Sequence, residues 1–90
     1  MKNLAIMREE IDSLDRQLIA LLGKRFQLTE QVGMYKAECA LSATDLEREK
    51  SQYAAFKELA IHHGVSEGLV EGIYKSIIKE VVHRHKKLIN

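Results

Sequence analysis

Ninety residues make one small domain, and this sequence contains no proline, no tryptophan and only five glycines, with 46% hydrophobic residues. That composition favours an all-helical chain over a β-rich one. Fourteen basic residues against thirteen acidic leave a net charge of +1, which is not the footprint of a nucleic-acid binder. No apolar run approaches the roughly 18 residues of a membrane span. MKNLAIMREE has no apolar stretch before its acidic residues, so no signal peptide is expected and the chain reads as cytoplasmic.

The first element is written in the spacing of its apolar residues. Leu4, Met7, Ile11, Leu14, Leu18, Leu21, Leu28, Val32 and Tyr35 recur at alternating intervals of three and four. This predicts a helix of some 35 residues with a continuous seam. One place in the seam is taken by Arg25. Gly23 and Gly33 weaken the helix without ending it. At 1.5 Å per residue it would be about 50 Å long, whereas a compact domain of this size is roughly 30 Å across. The helix must outrun its own domain, and its far half can bury the seam only against another chain. An obligate homodimer is expected.

The segment CALSA is a short break. Thr44-Asp45-Leu46-Glu47 reads as a capping box with Thr44 as N-cap. A second helix is predicted from about 45 to 62, with Leu46, Tyr53, Phe56, Leu59 and Ala60 as its apolar positions. Gly64 is the expected C-cap residue and Ser66 the next N-cap. A third helix is predicted from about 67 to 88, burying Val70, Ile73, Tyr74, Ile77, Ile78, Val81, Val82 and Leu88. The expectation is one all-α domain over residues 1–90, with one long and two shorter helices. Cys39 is the single cysteine, which rules out an intrachain disulfide and reads as a bystander thiol.

Several charges do not fit a solvated face. Arg25 lies on the seam, where a buried cation is costly unless an anion meets it. A glutamate partner or a register-setting role would explain it alone. Arg8 and Lys36 each follow a seam residue, at opposite ends of the helix, and alone would be snorkelling side chains. Asp45, Arg48 and Glu49 are mutual neighbours on the second helix, and alone would be a first-turn charge cluster. Taken together, cations converging where a core should be, beside a carboxylate cluster, suit a compact polyanionic ligand that also carries a hydroxyl.

The stretches MREEIDSLD at 7–15, LLGKR at 21–25, VGMYK at 32–36 and DLERE at 45–49 resemble the all-helical AroQ-class chorismate mutases, in register and without insertion. The resemblance implies an intertwined helical dimer that rearranges chorismate to prephenate within one molecule. No nucleophile, metal or cofactor is required. It also implies roles for particular residues. Arg25 would bind one substrate carboxylate, and Arg8 would reach in from the partner subunit. Lys36 would donate to the ether oxygen. Glu49 would fix the ring hydroxyl with Asp45 assisting, and Arg48 would support the carboxylates. A zinc site is not expected, because the pairs His62–His63 and His83–His85 are wrongly spaced to share a helical face.

The third helix departs from the family's S-x-x-x-Q pattern, with Val81 and His85 at those places. Valine cannot donate, so one carboxylate contact is lost. His85 can replace the amide donor if an N–H points inward, and better if protonated. In that case the rate should fall as pH rises through about 6 to 7. Two other readings stand beside the mutase. An isochorismate pyruvate lyase shares the fold and the cationic sites, but those relatives tend to lose the D-x-x-R-E cluster kept here. A non-catalytic helical dimer acting as a binding or regulatory partner would suit Val81 and His85, but leaves the seam cations without a purpose.

Overall fold

A computed structural model describes residues 2–89. The chain forms three helices: α1 (Leu4–Glu38), α2 (Leu46–His62) and α3 (Glu67–Leu88). Local chemistry sets each boundary. The Asn3 side chain accepts from the Ile6 N–H at 2.9 Å and starts α1. The Ser66 hydroxyl accepts from the Leu69 N–H at 3.3 Å and starts α3. The start of α2 corrects the predicted capping box. Asp45, not Thr44, is the N-cap, and its Oδ1 accepts from the Arg48 N–H at 3.0 Å. Aspartate caps at least as well as threonine, and the Thr44 N–H is instead turned to the Ser42 hydroxyl.

Two helices end in the same six-residue wrap. After α2, the Val65 N–H bonds to the Ala60 carbonyl and the Gly64 N–H to the Ile61 carbonyl, with Gly64 at φ 66°. This is the left-handed closing turn for which glycine is suited, with His63 as the C-cap and Gly64 just beyond it. After α1, the Leu41 N–H reaches the Lys36 carbonyl and the Ala40 N–H the Ala37 carbonyl. Here alanine occupies the left-handed position, at φ 54°. At the end of α2, the C-cap conformation of His63 sets its ring edge-on to His62 at 4.9 Å, a contact made past the helix end and not on one helical face.

Helix α3 packs against both α1 and α2, while α1 and α2 do not pack on one another. The intrachain core is accordingly small. Ala60, Ile78 and His85 are buried, as is Gly33. Phe56 stacks on Tyr74 with ring centres 3.7 Å apart, joining α2 to α3. Arg84 joins α3 to α1, lying over the Phe26 ring at 4.5 Å and reaching Glu30 at 3.4 Å. A Cβ on Gly33 would fall 2.6 Å from the His85 ring and 2.9 Å from a Leu88 methyl, so this glycine lets α3 approach. On the expected buried face of α3, Ile73 and Leu88 are in fact exposed.

The seam of α1 has no cover within the chain. Leu4, Ile11, Leu14, Leu18, Leu21 and Leu28 are each more than half exposed. The chain extends 57 × 23 × 15 Å with a radius of gyration of 16.5 Å, against about 12 Å for a compact chain of this length. It exposes 7312 Å², where a compact chain of 10.3 kDa exposes about 5,400 Å². The excess, roughly 1,900 Å², is about twice what one partner buries in an ordinary protein interface.

Candidate active site

Because α1 and α2 stand apart, a cleft remains between them, floored by α3. Each helix faces it with one stripe at helical spacing. Helix α1 presents Arg25, Leu28, Thr29, Val32 and Lys36. Helix α2 presents Asp45, Arg48, Glu49 and Gln52, and α3 presents Ile78, Val81, Val82 and His85. The cleft has a volume of about 280 Å³, close to the lower end of small-molecule sites at roughly 300 Å³.

Seven of the eight residues singled out in the sequence therefore line one cavity. The eighth, Arg8, does not. It is exposed on α1, 17 positions before Arg25, or about 25 Å along the helix axis. No bend of a single helix brings it to the cleft of its own chain.

The cations of the cleft are free of internal carboxylates. Among the described residues, ion pairs join Lys2 to Glu10, Lys75 to Glu71, and Arg84 to Glu30 and Glu80. Arg25, Lys36 and Arg48 take part in none of these. Arg25 lies 5.5 Å from the centre of the Tyr74 ring, which steadies it without neutralising it. Lys36 Nζ donates to the Ala43 carbonyl at 3.3 Å, which keeps the amine at the end of the cleft nearest the α1–α2 connection. Asp45 spends one carboxylate oxygen on the α2 cap and keeps the other free. Three cations face two carboxylates in the cleft, so its walls carry a surplus of one positive charge.

His85 is 3% exposed. Its Nε2 lies 2.7 Å from the Thr29 carbonyl, which can only accept, so Nε2 carries the hydrogen. In the neutral ring Nδ1 is then a bare acceptor, and it is buried without a partner. Nδ1 is thus the ring nitrogen left to donate, which it can do only in the charged imidazolium, and it is buried rather than open to the cleft. Val81 presents methyl groups and no donor.

Sequence reasoning missed three parts of this arrangement. Gln52 continues the stripe of Asp45, Arg48 and Glu49 by one more helical step, and that spacing would have found it. The Thr29 carbonyl as a seat for His85 had no signal in the sequence. Tyr74 was read as core, and its ring serves Arg25 as well.

Comparison with known proteins gives the family of the chain. The family described as chorismate mutase type II matches residues 7–86. A T-protein of Haemophilus influenzae is 39% identical over 80 residues, covering 89% of this chain and 21% of that protein. A chorismate mutase of Methanocaldococcus jannaschii is 30% identical over 78 residues, covering 87% of this chain and 79% of that one. A bifunctional chorismate mutase/prephenate dehydratase of Buchnera aphidicola is 29% identical over 87 residues, 23% of its length. The chain thus spans about a fifth of the T-proteins it matches. It belongs to the type II chorismate mutase family.

Proposed function

We propose that the chain is a chorismate mutase, converting chorismate to prephenate in the supply of phenylalanine and tyrosine, and that it works as a homodimer. The observation that carries this reading is the set of unpaired cations around one cleft, Arg25, Lys36 and Arg48, in a family whose substrate is a dicarboxylate. The rearrangement breaks an ether C–O bond as a C–C bond forms in the same molecule. The protein therefore has two tasks, to hold the folded conformer and to stabilise the charge that gathers on the ether oxygen.

In this mechanism Arg25 grips one carboxylate and Arg8 of the second subunit the other. With Arg8 added and His85 neutral, the surplus of positive charge becomes two, which matches the two negative charges of the substrate, and an imidazolium at His85 would raise it to three. Lys36 donates to the ether oxygen at the far end of the cleft. Glu49 accepts from the ring hydroxyl, the free oxygen of Asp45 assists, and Arg48 orders the carboxylates. Imidazolium His85 would be the second donor through Nδ1. The uncovered seam and the roughly 1,900 Å² of excess surface support pairing of the long helices, which would carry Arg8 into the partner's cleft.

The test is to mix the purified protein with chorismate and follow its loss and the appearance of prephenate. Arg25→Ala should lower kcat/KM by about a hundredfold or more, the size of losing a charged contact. Wild-type protein that folds, dimerises and leaves chorismate untouched would sink the reading. Release of salicylate and pyruvate from isochorismate by the same protein would favour the lyase instead, although retention of Asp45, Arg48 and Glu49 speaks for the mutase.

A further inference from the structure

Gln52 is the polar residue of the cleft without a role in the scheme above. It is partly buried, and its amide enters no hydrogen bond among the described residues. Its level in the cleft follows from its neighbours. Phe56, one turn further along α2, stacks on Tyr74, and the same Tyr74 ring underlies Arg25. Lys36 is tied to Ala43, just before the start of α2, and so marks the opposite end. Gln52 therefore stands toward the Arg25 end, two turns from Asp45. Across the floor of the cleft, Val81 offers nothing to a carboxylate, and the hydrogen of His85 Nε2 is committed to Thr29.

We propose that Gln52 is a further substrate-contacting residue, whose amide N–H donates to the carboxylate gripped by Arg25 and supplies from α2 the contact that Val81 cannot supply from α3. This rests on the mutase reading. A carboxylate has more acceptor sites than one guanidinium fills, and a second donor from the opposite wall fixes its plane. That orientation bears on how the reacting ends of the substrate meet.

The experiment compares wild type, Gln52→Leu, Gln52→Glu and the double variant Gln52→Leu/Val81→Ser in the full chain. Chorismate turnover and equilibrium chorismate binding are both measured. Gln52→Leu should lower kcat/KM by about ten- to a hundredfold, with the thermal midpoint unchanged. Gln52→Glu should be poorer still at neutral pH, where its carboxylate repels the substrate. It should recover as acid protonates the new side chain into a donor, a pH response that a packing role would not produce. Adding Val81→Ser to Gln52→Leu should restore part of the loss. The proposal is overturned if Gln52→Leu stays within twofold of wild type in both binding and turnover, or if Gln52→Glu follows the wild-type pH profile. Weakened binding by Gln52→Leu in a wild type with no turnover would keep the contact and reject the mutase reading, so the two failures are distinguishable.

Discussion

At the scale of single residues, Arg25 was the anomaly of the sequence, and its surroundings explain how it is tolerated. It is neither paired with a glutamate nor fully buried, and an aromatic face lies beside its charge. If Arg25 binds substrate as proposed, Tyr74 positions it. Tyr74→Leu should lower kcat/KM by roughly fivefold, in line with a partly exposed cation–π contact of about 1 kcal/mol. Tyr74→Phe, which keeps the ring, should remain near wild type, and the pair of steady-state measurements separates ring from hydroxyl. A second residue-scale expectation concerns acid. The hydrogen bond from Arg84 holds the Glu80 carboxyl below its usual range. A depressed carboxyl stabilises the fold above its unfolded value, about 4.3, and that contribution is lost as pH falls through the lower folded value. Urea midpoints across this window should therefore fall less steeply in Glu80→Gln than in wild type. The charges of the cleft were legible because helical spacing places them on shared faces. The bond of His85 to a backbone carbonyl was not, because carbonyl positions depend on how α3 docks.

At the scale of elements, the long helix and α3 were legible almost to the residue, because an apolar period broken only at Arg25 and a serine cap leave few alternatives. The start of α2 was less so. Thr44 and Asp45 are adjacent and both able to cap, and it is the Asp45 side chain that accepts the first-turn N–H, that of Arg48. The strained turn at Ala40 carried no sequence signal, since glycine or asparagine, not alanine, is the residue that marks such a turn. A left-handed alanine costs about 1 kcal/mol, so Ala40→Gly should raise stability by up to about that amount in chemical denaturation. The opposite change at Gly33 should harm. Gly33→Ala presses a methyl into the His85 ring and Leu88, and overpacking of this kind costs typically 1–3 kcal/mol. Because the displaced ring also lines the cleft, turnover should drop along with stability.

At the scale of the whole molecule, one chain is a poor globule. Its floor helix holds two walls apart, and its longest apolar face is bare. If the bare seam is covered by a second copy as proposed, the protein should lose folding and activity together on dilution, because folding would then be linked to association. Specific activity that falls with protein concentration, tracking loss of helical signal, is the expected outcome.

The distance of about 25 Å between Arg8 and Arg25 along a single rod has a genetic consequence. If each cleft draws these two arginines from different copies, Arg8→Ala and Arg25→Ala damage different halves of the same site. Unfolded together and refolded as a mixture, the two inactive proteins should complement one another. Half of the randomly formed pairs would be mixed. Each of these would hold one cleft with both arginines and one with neither, so about a quarter of wild-type activity should reappear. Two defects on a shared copy could never be rescued in this way.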